Sequence, residues 1–162
     1  MIRLLIVLTL LIAGPAQAAT EIQVDEVLVK KSERQMLLLD NGEPVREYRI
    51  SLGGDPEGHK LSSGDGRTPE GRYKIYRRNP NSDFFLSLGI SYPNKEDRRL
   101  AEAWGLDPGG DIMIHGLPND AGEWAFAYEG LDWTEGCIAV NNEDMKEIWE
   151  LVTIGTPIEI RP

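Results

Sequence analysis

Thr134-Glu135-Gly136-Cys137-Ile138, read together with Ile114-His115-Gly116 upstream, is the stretch on which the rest of the chain hangs. Cys137 is the only cysteine, and His115, 22 residues earlier, is one of two histidines. A thiol attacks a carbonyl carbon only as thiolate, so a working Cys needs a base or a positive environment beside it. A single Cys with a His elsewhere in the chain is the minimal pattern of a cysteine acyl-transfer enzyme. Gly116 follows the His and Gly136 precedes the Cys, and a missing side chain at each lets backbone approach a substrate closely. The N–H groups of Gly136 and Cys137 are therefore candidate oxyanion donors. Residue types alone leave a second description open, in which Cys137 is a small core hydrophobe and His115 a satisfied core histidine.

Outward from that pair, the N-terminus carries an address. Met1-Ile2-Arg3 is a short basic start, Leu4 to Ala13 is apolar, Gly14-Pro15 breaks the run, and Ala16-Gln17-Ala18 reads as a cleavage site. Residues 1–18 are expected to be a secretory signal peptide and 19–162 the mature domain. The apolar run is too short to span a bilayer comfortably, so no membrane insertion is expected after cleavage, and the chain is placed in the periplasm or cell wall. A formal net charge of −10 argues against nucleic acid and anionic membrane surfaces as partners. One cysteine excludes an internal disulfide, so the fold rests on its core. A zinc site would need three or four ligands, and one Cys with two His shows no such spacing. No cofactor or metal is expected.

The mature sequence reads as mainly β. Val27 and Val29, then Met36 to Leu39, then Val45 to Leu52 are consecutive antiparallel strands, with Asp40-Asn41-Gly42-Glu43 as a hairpin turn. Gly53 to Gly66 is a loop holding His59. Arg72 to Arg77 alternates as a strand, Arg77 to Ser82 reads as a polar, basic turn, and Phe84 to Tyr92 as a buried strand. Asn94 is placed to cap a helix over Lys95 to Trp104, with Leu100, Ala101 and Trp104 facing inward. Asp111 to His115 is a strand, and Leu117 to Leu131 a loop or lid bearing Trp124, Phe126 and Tyr128. Asn142 is the expected cap of a helix whose apolar stripe is Met145, Ile148, Trp149 and Val152, and Pro157 to Ile160 is the last strand.

The segments Ile112-Met113-Ile114-His115-Gly116 and Thr134-Glu135-Gly136-Cys137-Ile138 resemble the H-G…[ST]-x-G-C-[IV] signature of the YkuD-like L,D-transpeptidase catalytic domain. Thr68-Pro69-Glu70-Gly71-Arg72-Tyr73 is similar to the T-P-x-G-x-[YF] segment ahead of the catalytic half of that family, and the likeness covers roughly residues 24 to 162. It implies an L,D-transpeptidase-like β-sandwich with one or two short helices. Cys137 would be the nucleophile on a peptidoglycan stem peptide at an L,D-linked diaminopimelate, and His115 the base, oriented by the Gly116 carbonyl. The thioester would pass to an amine: another stem, a D-amino acid or the lysine of a wall-linked lipoprotein.

Resemblance to a branch carrying Arg-Asn-Pro-Asn-Ser and Gly-Cys-Ile-Ala-Val sets hydrolysis of such bonds, or release of wall-linked lipoprotein, beside transfer. A non-catalytic wall-binding module is the remaining alternative. Thr134, Arg67 and His59 are the further residues expected to shape the site with Gly136. Two positions depart from the family pattern: Ala139 stands where many members have Arg, and Glu135 where several have His. Arg67, Arg72, Arg77 and Arg78 are the cations available to take over from the first.

Overall fold

The computed structural model describes residues 22–128 and 130–162, and the expected signal peptide, 1–18, lies outside the described residues. Alternating apolar side chains build an antiparallel meander of β1 (Glu26–Lys30), β2 (Gln35–Asp40) and β3 (Glu43–Arg49). Val29 lies opposite Met36 and Leu28 opposite Leu37. Period-two alternation divides β2: Met36 and Leu38 enter the main core, while Leu37 and Leu39 join Leu28 in a small cluster on the other face.

The chain continues through β4 (Gly71–Ser82), β5 (Phe85–Ile90), α1 (Lys95–Ala103), β6 (Met113–His115), a 3₁₀ turn over Gly122–Tyr128, β7 (Ile138–Ala139), α2 (Asn142–Leu151) and β8 (Pro157–Arg161). One eight-stranded mixed sheet results, in the order β3-β2-β1-β8-β4-β5-β6-β7. The last strand stitches the halves together, parallel to β1 and antiparallel to β4. β4 serves both halves, and its register shifts between Ile75 and Arg77 and between Asn79 and Ser82 let the sheet bend there. Bridges from Ser51 to Ala139 and from Gly53 to Thr134 bring the segment after β3 back onto β7. The expected mainly β architecture is present, with 35% strand against 19% helix, as a sheet folded over a single main core.

That core explains the helix next to the site. Met145, Ile148 and Val152 are fully buried, against Leu88, Ile90, Ile114 and Ile138 of the curled sheet. Three local expectations need correction. The polar run Arg77 to Ser82 is strand rather than turn, because Arg78 has partners across the fold. Its guanidinium lies 4.1 Å from the Trp149 ring centroid and donates to the Trp149 and Val152 carbonyls at the C-terminal end of α2. Trp104 is 72% exposed rather than inward, because α1 stops at Ala103 and buries Asp97 and Ala101 instead. The cap of α2 is Asn141, whose side chain accepts from the Asp144 N–H at 2.8 Å. Asn142 is thereby freed to accept from the Leu117 N–H at 2.9 Å, which ties α2 to the segment following His115.

Truncating Met145 to Ala removes a fully buried side chain from beneath this sheet. The variant is expected to lose about 2–5 kcal/mol of unfolding free energy in urea titration, with the m-value unchanged.

Candidate functional site

Strands β6 and β7 run parallel, with Ile114 beside Ile138 and His115 beside Ala139. Both isoleucines are fully buried in the core. Alternation turns His115 and Ala139 to the opposite face, and Cys137, one residue ahead of β7, falls on that same face beside Met113. Adjacent strands lie about 4.8 Å apart, so side chains one register step from each other on one face are neighbours. The sheet thus joins residues 22 apart in sequence.

The turn carrying Cys137 is tied by Thr134. Its hydroxyl accepts from the Gly136 N–H at 3.1 Å and donates to the Cys137 carbonyl at 2.8 Å. Gly136 has φ +123°, and a Cβ there would lie 2.5 Å from the Arg67 carbonyl oxygen, so both conformation and space demand glycine. The Gly136 N–H, expected to face an oxyanion, is therefore committed to the turn, and the Cys137 N–H is left as the candidate donor. The half-buried Cys137 thiol donates to the Asp111 carbonyl at 3.6 Å.

His115 is 3% exposed. Its Nδ1 lies 2.7 Å from the Gly116 carbonyl oxygen, which assigns the proton to Nδ1 and leaves Nε2 as the basic nitrogen. Gly116 must be glycine because a Cβ would come within 2.5 Å of Asn142 Oδ1. Aromatic rings surround the imidazole: Phe84 at 4.6 Å and Trp133 at 5.7 Å, with Tyr128 edge-on to Trp133 at 4.9 Å. Ser87, opposite His115 on β5, is 1% exposed, and its hydroxyl has no partner among the described residues.

Burial dominates the electrostatics. It pushes the His115 imidazole below its ordinary 6.5, against the smaller upward pull of the Gly116 carbonyl. It also pushes the Cys137 thiol above its ordinary 9.0, helped by Asp111 and Glu135 and opposed by the Met113 amide and Lys60. The resting pair is neutral thiol and neutral imidazole. A cleft of about 200 Å³ opens on the thiol, lined among others by Lys60, Gly64, Gly109, Asp111 and Glu135. A second cavity, of about 140 Å³, is lined by Arg49, Ser51, Tyr128, Trp133 and Ala139.

Of the residues singled out in the sequence, Cys137, His115, Gly116, Gly136 and Thr134 come together. Arg67 contributes only its carbonyl against Gly136, and its Nε donates to Asp55 at 3.0 Å. His59 is held elsewhere: Nδ1 accepts from the Glu70 N–H at 3.0 Å, and Nε2 lies 3.3 Å from Asp97 of α1. Both serve the loop framework in this geometry rather than the thiol cleft. Trp124 and Phe126 of the expected lid are 70% and 67% exposed and stack on each other at 6.2 Å, while Tyr128 alone turns inward. Lys60, Asp111, Phe84, Ser87 and Trp133 were not marked by any motif. Among the described residues, no three His, Cys, Asp or Glu side chains converge as a metal site.

Comparison with known proteins identifies the family and the fold. Residues 24–160 match the family model of the L,D-transpeptidase catalytic domain, YkuD. YafK of Escherichia coli K12 is 31% identical over 131 residues, covering 79% of this chain and 42% of its own. The helical cell shape determining protein Pgp2 of Campylobacter jejuni superposes with a TM-score of 0.65 at 25% identity, over 86% of this chain and 48% of Pgp2. An L,D-transpeptidase from Xylanimonas cellulosilytica shares the fold, with a TM-score of 0.55 at 16% identity over 88% of this chain and 62% of its own. This chain therefore spans less than half the length of YafK and Pgp2. With its thiol and imidazole on one face of adjacent parallel strands, and residues 24–160 matched by the family model, the chain belongs to the YkuD L,D-transpeptidase catalytic domain family.

Proposed function

We propose that this protein is an exported cysteine acyl-transferase acting on peptidoglycan stem peptides in the periplasm or cell wall. The observation that carries the reading is the placement of Cys137 and His115 on one sheet face, with Nδ1 of the imidazole fixed on the Gly116 carbonyl. Attack begins from the neutral pair. As Sγ bonds to the amide carbon at an L,D-linked diaminopimelate, its proton passes to Nε2 of His115. The Cys137 N–H is the oxyanion donor in this scheme. The C–N bond then breaks, and the leaving amine takes the proton from Nε2. An incoming amine returns a proton to the imidazole as it attacks the thioester, and the C–S bond breaks to regenerate the thiol.

Among the described residues no helix is long and apolar enough to cross a membrane. Family membership supports the peptidoglycan substrate, and the sequence of residues 1–18 supports export. Transfer and hydrolysis share the thioester, so the acceptor distinguishes them.

Purified peptidoglycan is incubated with the protein or with Cys137→Ala, with and without a D-amino acid, and the muropeptides are read by mass spectrometry. Loss of the terminal D-residue with gain of the acceptor is expected, reduced about 10³-fold or more in the variant. Water incorporation in every reaction would make the enzyme a hydrolase. Identical products from both proteins, on lipoprotein-linked material as well, would leave a wall-binding module.

The base must be neutral to act, and burial holds the folded His115 below 6.5. The acid limb of kcat/KM is therefore expected to be centred below pH 6.5, and a limb centred above it would contradict the buried neutral imidazole. The same shift means that the unfolded chain binds more protons at this site. Its stability contribution is complete above pH 6.5 and lost as pH falls through the lower folded value. Melting temperatures of the protein and His115→Gln, measured from pH 7.5 to 5, are expected to fall more steeply for the unsubstituted protein.

A further inference from the structure

We propose that Lys60 is a positioning residue for Cys137, its buried ammonium supporting the thiolate that forms as His115 takes the proton. This rests on the acyl-transfer reading of the Cys137 cleft.

Lys60 is only 3% exposed, which is unusual for a lysine and costly without partners. Its Nζ donates to Asp65 at 2.8 Å and to the Ser62 carbonyl at 3.1 Å. Asp65 is itself fixed, accepting from the N–H groups of Leu61, Ser62 and Arg67 at 2.8, 3.0 and 3.0 Å. Burial pushes the Asp65 carboxyl up, but Lys60 and those amides outweigh it and hold the group at about 2. Asp65 is thus a carboxylate at any working pH and keeps the ammonium in place.

Loop closure alone would not require Lys60 to line the cleft that holds the thiol, yet Lys60 and Cys137 are walls of the same cavity. The loop bearing Lys60 is also stapled to the opposite wall. The Ser63 N–H donates to the Asp107 carbonyl at 2.7 Å, and the Tyr92 hydroxyl reaches the Lys60 and Pro108 carbonyls at 3.5 and 2.9 Å.

The charges around the thiol do not act equally. Asp111 and Glu135 oppose a thiolate, but both side chains are exposed, Asp111 by 81%, so water screens them. His115 is neutral at rest. Lys60 is shielded from solvent, where a unit charge acts through a lower effective dielectric, and with the Met113 amide it favours the thiolate. The Asp65 carboxylate offsets part of that effect, and this makes the two partners separable by sign.

Because Cys137 is the only thiol, iodoacetamide alkylation followed across pH titrates it directly in the full-length protein. Lys60→Met is expected to move the midpoint upward and slow alkylation at pH 8 by about fivefold or more, since the thiolate fraction changes about tenfold per pKa unit. Lys60→Arg is expected to stay within about twofold of the unsubstituted protein. Asp65→Asn leaves the ammonium uncompensated and is expected to move the midpoint downward, the direction that mere loosening of the loop would not give.

Thermal melting identifies which variants fold. An unmoved midpoint in folded Lys60→Met overturns the proposal, and so does an upward or unmoved midpoint in Asp65→Asn, which decides the case if Lys60→Met fails to fold. Alkylation needs no peptidoglycan turnover. A protein inactive on peptidoglycan but showing these shifts would refute acyl transfer while leaving the electrostatic role of Lys60 standing.

Discussion

The site depends on one constraint: the register of the short parallel pair β6 and β7. Ile114 and Ile138 lock that register, since both are fully buried and sit side by side. A slip of one residue would turn the isoleucines to the cleft and bury the Cys137 thiol in the core. Hydrophobic burial therefore aligns the thiol and the imidazole, and the Asp111 carbonyl, 3.6 Å from Sγ, adds a direct restraint. The pair is only two residues long on the β7 side, too short to hold itself. It is held by α2 beneath it and by the bridge from Ser51 to Ala139 beside it, where the Ser51 and Ala139 backbones exchange hydrogen bonds of 2.8 and 2.9 Å.

The same burial sets the electrostatic starting point. It disfavours the charged form of both partners, lowering the imidazole and raising the thiol. The cleft adds one buried ammonium, Lys60, and two exposed, water-screened carboxylates, Asp111 and Glu135. In the proposed reaction, proton transfer to His115 is then coupled to attack rather than completed before it.

Much of this was legible in the sequence, for physical reasons that differ by element. The strand periodicity of β1 and β2, the stripe Met145, Ile148 and Val152, and the Asn94 cap are local signals, and each appears where local chemistry puts it. Cys137, His115 and Gly116 were singled out by residue type, and the sheet brings the three together. The misreadings arise where a distant partner overrides composition. Arg78 belongs to a strand because α2 supplies an aromatic face and two carbonyls. His59 is a framework residue because Asp97 waits on α1, and the Gly136 N–H is spent because Thr134 folds back on it. Lys60 looks like any loop lysine until its burial is known.

The departure at Ala139 shows the same limit most clearly. Four arginines stood available in the sequence to replace a cation there, and the fold gives each a different occupation. Arg67 pairs with Asp55, Arg72 lies 3.5 Å from Glu159, and Arg78 closes the end of α2. Arg77 alone shares the thiol's face: it pairs with Gly89, which pairs with Met113, beside which Cys137 lies, and its guanidinium reaches Met113 Sδ at 3.8 Å and Asp111 at 3.7 Å. Ala139 itself is 2% exposed and lines a cavity whose wall includes Arg49, a residue that no motif marked. A small side chain at 139 leaves that cavity open, where an arginine rooted at the same position would project into it. Charge near the site is thus set by which loops and more distant strands the fold brings to this face, a property of topology that no window of sequence contains.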